Sequence, residues 1–193
     1  MSAAKRALDL CLLALAAPPL LAVAALLGLA VWAVDGRPIL FSQPRVGRGG
    51  RAFRIWKLRT MTLEPDVAAR RPTRLGGWLR QRGLDELPQL LNVLRGDMSL
   101  VGPRPLTAAD VERLSAGCPD FVQRLAVPPG LTGLAQVCLA RGAAQTAALD
   151  AHYARHRSLT MDLAILLRTA WMNLVGKRRG ARSPPPVQVA PPR

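Results

Sequence analysis

From Leu10 to Val34 the chain runs without a charged side chain, LCLLALAAPPLLAVAALLGLAVWAV. A helix of that length, rising ~1.5 Å per residue, matches a bilayer core of ~30 Å. Pro18-Pro19 falls inside the run, removes two backbone donors and presses a ring into the preceding turn, so a break is predicted there. Lys5 and Arg6 precede the run, and Arg37, Arg45, Arg48, Arg51 and Arg54 follow it. Basic flanks stay cytoplasmic. A straight span cannot satisfy both flanks, whereas a re-entrant helix-break-helix returning to the same face does. Two rival readings are a single-pass anchor and a signal peptide cleaved near Ala14-Leu15-Ala16. The apolar run continuing past that site, with Asp9 at its mouth, disfavours cleavage.

Beyond the run, Ile39–Gln43 and Ala52–Arg59 predict short strands, joined through the glycine-rich turn Val46–Gly50. Arg74–Arg82, Leu87–Leu94 and Ala108–Ser115 predict helices. Met98–Pro105 and Val127–Gly133 are punctuated by Gly and Pro and predict loops. A helix is expected from Ala147 to His156 and another over Leu159–Val175. The latter is apolar around most of its surface, which suits either a membrane interface or a buried core. The expected fold is α+β and mainly helical. It comprises a membrane hairpin (1–36), a small cytosolic catalytic domain with a short β-hairpin and interfacial amphipathic helices (37–176), and a basic, proline-rich disordered tail (177–193).

The 193 residues hold 27 Lys and Arg against 12 Asp and Glu, a net charge of +15, which asks for an anionic partner. Aromatic residues are only 4%, too few for base-stacking platforms, so nucleic acid is disfavoured. Cys11, Cys118 and Cys138 are far apart and form no C-x-x-C, which argues for a reducing compartment without disulfides. His152 and His156 have helical spacing but lack the Glu of a zinc helix.

Leu84-Asp85-Glu86-Leu87-Pro88-Gln89 is the sharpest candidate for chemistry. Pro88 is tolerated in a first helical turn, which places Asp85 near an N-cap, where the helix dipole favours negative charge. A bare Asp-Glu pair at a helix start is usually only a cap. Here it closes a stretch from Arg37 to Arg82 with 12 basic and two acidic residues, and such a pair can hold a divalent cation beside a diphosphate. Lys57 and Arg59 share one strand face, suiting either a diphosphate fork or a solvated surface. Gly102-Pro103-Arg104-Pro105 fixes the backbone on both sides of one guanidinium, which suits phosphate binding.

Read in order, several segments resemble the bacterial sugar transferase family, the monotopic phosphoglycosyl transferases. They are Lys5-Arg6 with Asp9, Phe41-Ser-Gln-Pro-Arg-Val-Gly-Arg, Phe53 to Met61, Leu79-Arg80, Leu84 to Leu94, Gly96 to Pro105 and Pro129 to Val137. The resemblance implies transfer of a sugar 1-phosphate from a UDP-sugar to a polyprenol (undecaprenyl) phosphate, releasing UMP, as the first membrane step of a surface glycan. It places the enzyme on the cytoplasmic face of the bacterial inner membrane and is compatible with a homodimer. It implies Asp85 as nucleophile, Glu86 beside it with Mg2+, and Arg104 and Arg80 as phosphate-binding residues. Lys57 and Arg59 complete the candidate phosphate set, and Lys5, Arg6, Asp9, Pro18 and Pro19 the membrane hairpin. At this length the chain resembles the minimal catalytic form. It departs from the family at Ala17-Pro18-Pro19 and at Cys138-Leu139-Ala140-Arg141, where sugar and nucleotide contacts do not carry over. The rivals are a basic membrane-anchored module that binds anionic lipid or nucleic acid, and an inactive scaffold of the same fold.

Overall fold

A computed structural model describes residues 2–175; the basic, proline-rich tail lies outside them. Helix α1 (Ala3–Asp35) opens on Ser2, whose hydroxyl accepts the Lys5 amide at 3.2 Å, and closes at Gly36 with φ 74°. The expected interruption at Pro18-Pro19 is not found: the helix runs through both prolines. Each proline withholds one amide, from the carbonyls of Ala14 and Leu15, but the flanking turns keep their bonds, so the ladder is weakened locally without ending.

Both ends of α1 are fastened to the same domain. Arg6 donates to the carbonyls of Val93 (2.6 Å) and Leu94 (2.8 Å), filling the C-terminal acceptors of helix α3 (Leu90–Arg95). At the other end Arg59 donates to the carbonyls of Asp35 and Gly36, and Thr73 donates to Asp35 Oδ2 at 2.7 Å. Leu13 enters the main core, and Val31 packs with Leu58 and Leu79. Between these anchor points Leu15, Leu21, Val23, Leu26 and Leu29 face outward.

Strands β1 (Leu40–Val46) and β2 (Ala52–Leu58) pair antiparallel, with Leu40 opposite Leu58 and Val46 opposite Ala52. The turn between them needs left-handed backbone at Gly49 (φ 65°) and Gly50 (φ 82°), as its glycines predict. Helix α2 (Arg74–Arg82) is capped by Thr73 and stopped by Gly83. A second pair, β3 (Ser99–Val101) and β4 (Gly130–Thr132), is parallel and lies where the sequence predicts loops. Helix α4 (Ala108–Gly117) and a 3-10 helix (Pro119–Ala126) form the crossover between them. Three residues are too few to display alternation. A Cβ at Gly130 would collide with the Gly102 amide, and one at Gly133 with the Gly102 carbonyl, so these glycines permit the close backbone approach.

Short helix α5 (Leu134–Val137) leads into α6 (Gly142–His156) and α7 (Leu159–Val175). Ile165 and Met172 of α7 join Ile55, Val93, Met98 and Tyr153 in the core, while Leu163, Leu167, Trp171 and Leu174 face outward. The core reading of this helix holds for one face, and the other face is apolar and exposed. A buried polar cluster joins α1 to the other elements. Lys5 Nζ lies 2.6 Å from Asp9 Oδ1 and 3.1 Å from Asp162 Oδ2, and Ser99 donates to Asp9 Oδ2 at 2.7 Å. The Tyr153 hydroxyl stands 2.7 Å from Asp162 Oδ1. Lys5 and Asp9 were expected as membrane-flanking residues; here they bind the helix to the domain.

Candidate active site

Gly83 ends α2 in left-handed conformation (φ 69°), and the chain turns directly into a 3-10 helix over Leu84–Gln89 that passes into α3. The sequence instead predicts an α-helical N-terminus here. Pro88 has no amide to donate, and the tighter turn packs against β2 and α1. Asp85 therefore stands in the first turn of a 3-10 helix whose N-cap is Gly83. Asp85 is 6% exposed, and burial raises its pKa from the ordinary value, partly offset by Lys57 and Arg80.

Glu86 is tuned the other way. Burial opposes its charge, but Arg104 and Lys57 together hold its pKa below the usual carboxylate range. Both cations converge on one oxygen: Lys57 Nζ at 2.6 Å and Arg104 at 2.9 Å from Glu86 Oε1. Lys57 reaches it from β2. Arg104 comes from the loop after β3, whose backbone is locked by bonds from Gly102 to the Thr132 carbonyl (2.8 Å) and from Gly130 to the Pro103 carbonyl (2.9 Å).

Asp85, Glu86, Lys57, Arg80 and Arg104 are thus brought together around one cavity of about 1970 Å³. Arg59 also lines this cavity but forms no ion pair with either carboxylate. It follows the last residue of β2, and its guanidinium serves the C-terminal carbonyls of α1. Of the expected fork, only Lys57 meets Glu86. Away from the charged residues the cavity becomes apolar, lined by Leu12, Leu15 and Leu20 of α1 and by Leu166, Ala170 and Met172 of α7.

Sequence reasoning assigned no role to Arg124 or Asp150. Buried Arg124 donates to the Arg104 carbonyl at 2.6 Å and lies 3.3 Å from buried Asp150, holding the phosphate-loop candidate from behind. Burial pushes the Asp150 pKa up to about 6 against the pull of Arg124. Neither residue carries a motif of its own; a buried pair between a 3-10 helix and α6 is a tertiary fact.

No cluster of three or more His, Cys, Asp or Glu fit to hold a metal occurs among the described residues. Asp85 and Glu86 nonetheless match the donor set that suits Mg2+. That ion is commonly held by one or two carboxylates and completed by substrate phosphates and water, rather than by an all-protein cage.

A family model for the bacterial sugar transferases matches residues 1–176. The chain belongs to the bacterial sugar transferase family. This match runs from α1 through α7, beyond the motif segments, which end at Val137. The chain is 48% identical over 183 residues to the UDP-glucose:undecaprenyl-phosphate glucose-1-phosphate transferase of Caulobacter vibrioides, covering 86% of this chain and 67% of that protein. It is 42% identical over 188 residues to the undecaprenyl-phosphate glucose phosphotransferase of Komagataeibacter xylinus, covering 86% and 35%. Identity to the undecaprenyl-phosphate galactose phosphotransferase of Salmonella typhimurium is 37% over 172 residues, covering 76% and 35%. The chain therefore spans two thirds of the first relative and about a third of the other two. These sugar transferases share the polyprenol phosphate in their names but differ in the sugar.

Proposed function

We propose that this chain transfers a sugar 1-phosphate from a UDP-sugar to a polyprenol phosphate such as undecaprenyl phosphate, releasing UMP through a covalent aspartyl phosphosugar intermediate. The observation that carries the reading is the single cavity in which a carboxylate pair ringed by Lys57, Arg80 and Arg104 opens onto an apolar groove between α1 and α7. One end suits a diphosphate and the other an isoprenoid chain. A binding module for anionic lipid or nucleic acid needs cations but has no use for a buried carboxylate among them.

In this reading a carboxylate oxygen of Asp85 attacks the phosphorus next to the sugar. The bond from that phosphorus to the bridging oxygen breaks, and its electron pair leaves on UMP. An oxygen of polyprenol phosphate then attacks the same phosphorus, forming a new diphosphate and returning the Asp85 carboxylate. Lys57 and Arg104 fix Glu86 and offset charge on the phosphoryl group. Mg2+ held by Asp85 and Glu86 would supply further positive charge at that group. The reaction would open assembly of a surface glycan. UMP release from a panel of UDP-sugars, with polyprenol phosphate and Mg2+, tests the reading. Turnover is expected with at least one sugar, and loss of one charged hydrogen bond in Arg104→Ala should lower kcat/KM roughly 10- to 100-fold. Absence of release across the panel from folded protein would sink it.

For the membrane, the reading is re-entrant: α1 stays helical but bends where Pro18 and Pro19 weaken its ladder, so that its apolar middle dips into the cytoplasmic leaflet and both ends return to one face. Its two ends are tied to one small domain by Arg6 and Arg59, while its apolar middle is exposed. Basic residues at both ends suit the cytoplasmic side. Cysteines introduced at Ser2 and Gly49 should be labelled by an impermeant reagent from the same side; labelling from opposite sides would establish a span.

A further inference from the structure

The antiparallel register places Lys57 opposite Phe41, Ile55 opposite Gln43 and Phe53 opposite Arg45. Directly opposed residues share a face, so the hairpin face that carries Lys57 also presents Gln43 and Arg45. Arg45 lines the cavity that holds Asp85 and Glu86. Its strand is stitched to the segment bearing Arg104 by the Val46 amide, which donates to the Leu106 carbonyl at 2.8 Å.

The Arg45 guanidinium donates to Gln43 Oε1 at 2.7 Å, and its buried Nε has no hydrogen-bond partner among the described residues. The nearby carboxylates are engaged elsewhere. Glu86 Oε1 takes Lys57 and Arg104, and Asp110 takes Thr107 at 2.7 Å and Arg113 at 3.0 Å. Burial and the like charge of Arg104 both depress the Arg45 pKa. A half-buried guanidinium with an idle donor, beside the exposed guanidinium of Arg104, forms an arrangement that an anion relieves.

We propose that Arg45 binds the nucleoside-side phosphate of the diphosphate donor and takes up the charge that appears there when the nucleoside monophosphate leaves. The proposal rests on the phosphotransfer reading above. Arg45 shares the hairpin face of Lys57, four residues along β1 from its partner Phe41, and lines the same cavity as Lys57, Glu86 and Arg104. Lys57 and Arg104 serve Glu86 beside the phosphorus that Asp85 attacks, and Arg45 extends the cationic track away from it. When the bridging P–O bond breaks, its electron pair becomes an additional negative charge on the departing phosphate, which the unpartnered Arg45 Nε would meet. No proton or redox partner is needed.

Binding of UMP and of uridine to the full chain in detergent, read by calorimetry, tests this without turnover. In the wild type, UMP is expected to bind more tightly than uridine. Arg45→Gln should reduce UMP affinity about tenfold and leave uridine affinity unchanged, and Arg45→Lys should recover part of the loss. In single turnover without polyprenol phosphate, Arg45→Gln should slow UMP release about tenfold or more. Passage of sugar phosphate from preformed labelled enzyme to polyprenol phosphate should keep its rate. An unchanged preference for UMP over uridine in Arg45→Gln overturns the proposal, as does equal slowing of both half-reactions. Failure of the wild type to release UMP would instead count against the phosphotransfer reading.

Discussion

Incubated with a radiolabelled UDP-sugar and Mg2+ but no polyprenol phosphate, the wild type is expected to take up label and release about one UMP per active site. Asp85→Asn is expected to take up none and to lose turnover by roughly 10³-fold or more, on the scale of nucleophile removal in other covalent enzymes. The fold should survive. The Asp85 side chain forms no ion pair or hydrogen bond with another described residue, and burial already works against its charge. An uncharged amide of the same shape removes that penalty, so the melting temperature of Asp85→Asn should equal or exceed that of the wild type. Higher stability with lost activity marks a group held in place for chemistry rather than for the fold. Label retained by Asp85→Asn would move the nucleophile elsewhere. A ternary kinetic pattern with no labelled wild-type enzyme would reduce Asp85 to a base or metal ligand in direct transfer.

The largest stability loss is expected from Lys5→Met. Lys5 is the cation between two buried carboxylates, Asp9 and Asp162, which are 1% exposed each. Methionine preserves the length of the stem but leaves both carboxylates facing each other without compensation. Breaking a buried ion pair from one side typically costs about 3–5 kcal/mol. At about 2–4 °C per kcal/mol for a chain of this size, the melting midpoint should fall by roughly 6–20 °C. The triple variant Lys5→Met/Asp9→Asn/Asp162→Asn should recover part of the loss, because it removes the stranded charges as well. A residue acting only as a cytoplasmic flanking charge would leave the midpoint unmoved, and that result would refute the clasp.

Legibility in the sequence followed the range of the interactions. Helices α2 and α7 occupy the residues their patterns predict, because Thr73, Gly83 and the apolar run of α7 are local signals. The hairpin follows from its glycine turn, although β1 extends beyond Gln43 to Val46, past a proline that an edge strand tolerates. Strands β3 and β4 were hidden because each is three residues long and finds its partner across α4. At the site, the Asp-Glu pair and the Gly-Pro-Arg-Pro loop stand out in the sequence, and the structure brings Arg104 to 2.9 Å from Glu86. The α-helical setting expected for Asp85 was not met, since the local rule for Pro88 does not distinguish a 3-10 turn from an α-helical one. Arg59 shows the limit of strand periodicity: one residue past β2, it answers to the open carbonyls of α1 instead. Lys5 shows a further limit, because Asp162 lies 157 positions away in sequence.

The 3-10 turn that bears Asp85 lies against α1, and Leu12, Leu15 and Leu20 of that helix line the cavity that holds Asp85 and Glu86. In the re-entrant reading, how deeply α1 sinks sets the height of the nucleophile above the layer where lipid phosphates lie. Bilayer thickness and headgroup packing would then act on catalysis directly, as changes in the alignment of acceptor and carboxylate, rather than only by retaining the enzyme at the surface. The lipid composition of a reconstituted bilayer becomes a kinetic variable of the second half-reaction, in which the acceptor arrives, more than of the first.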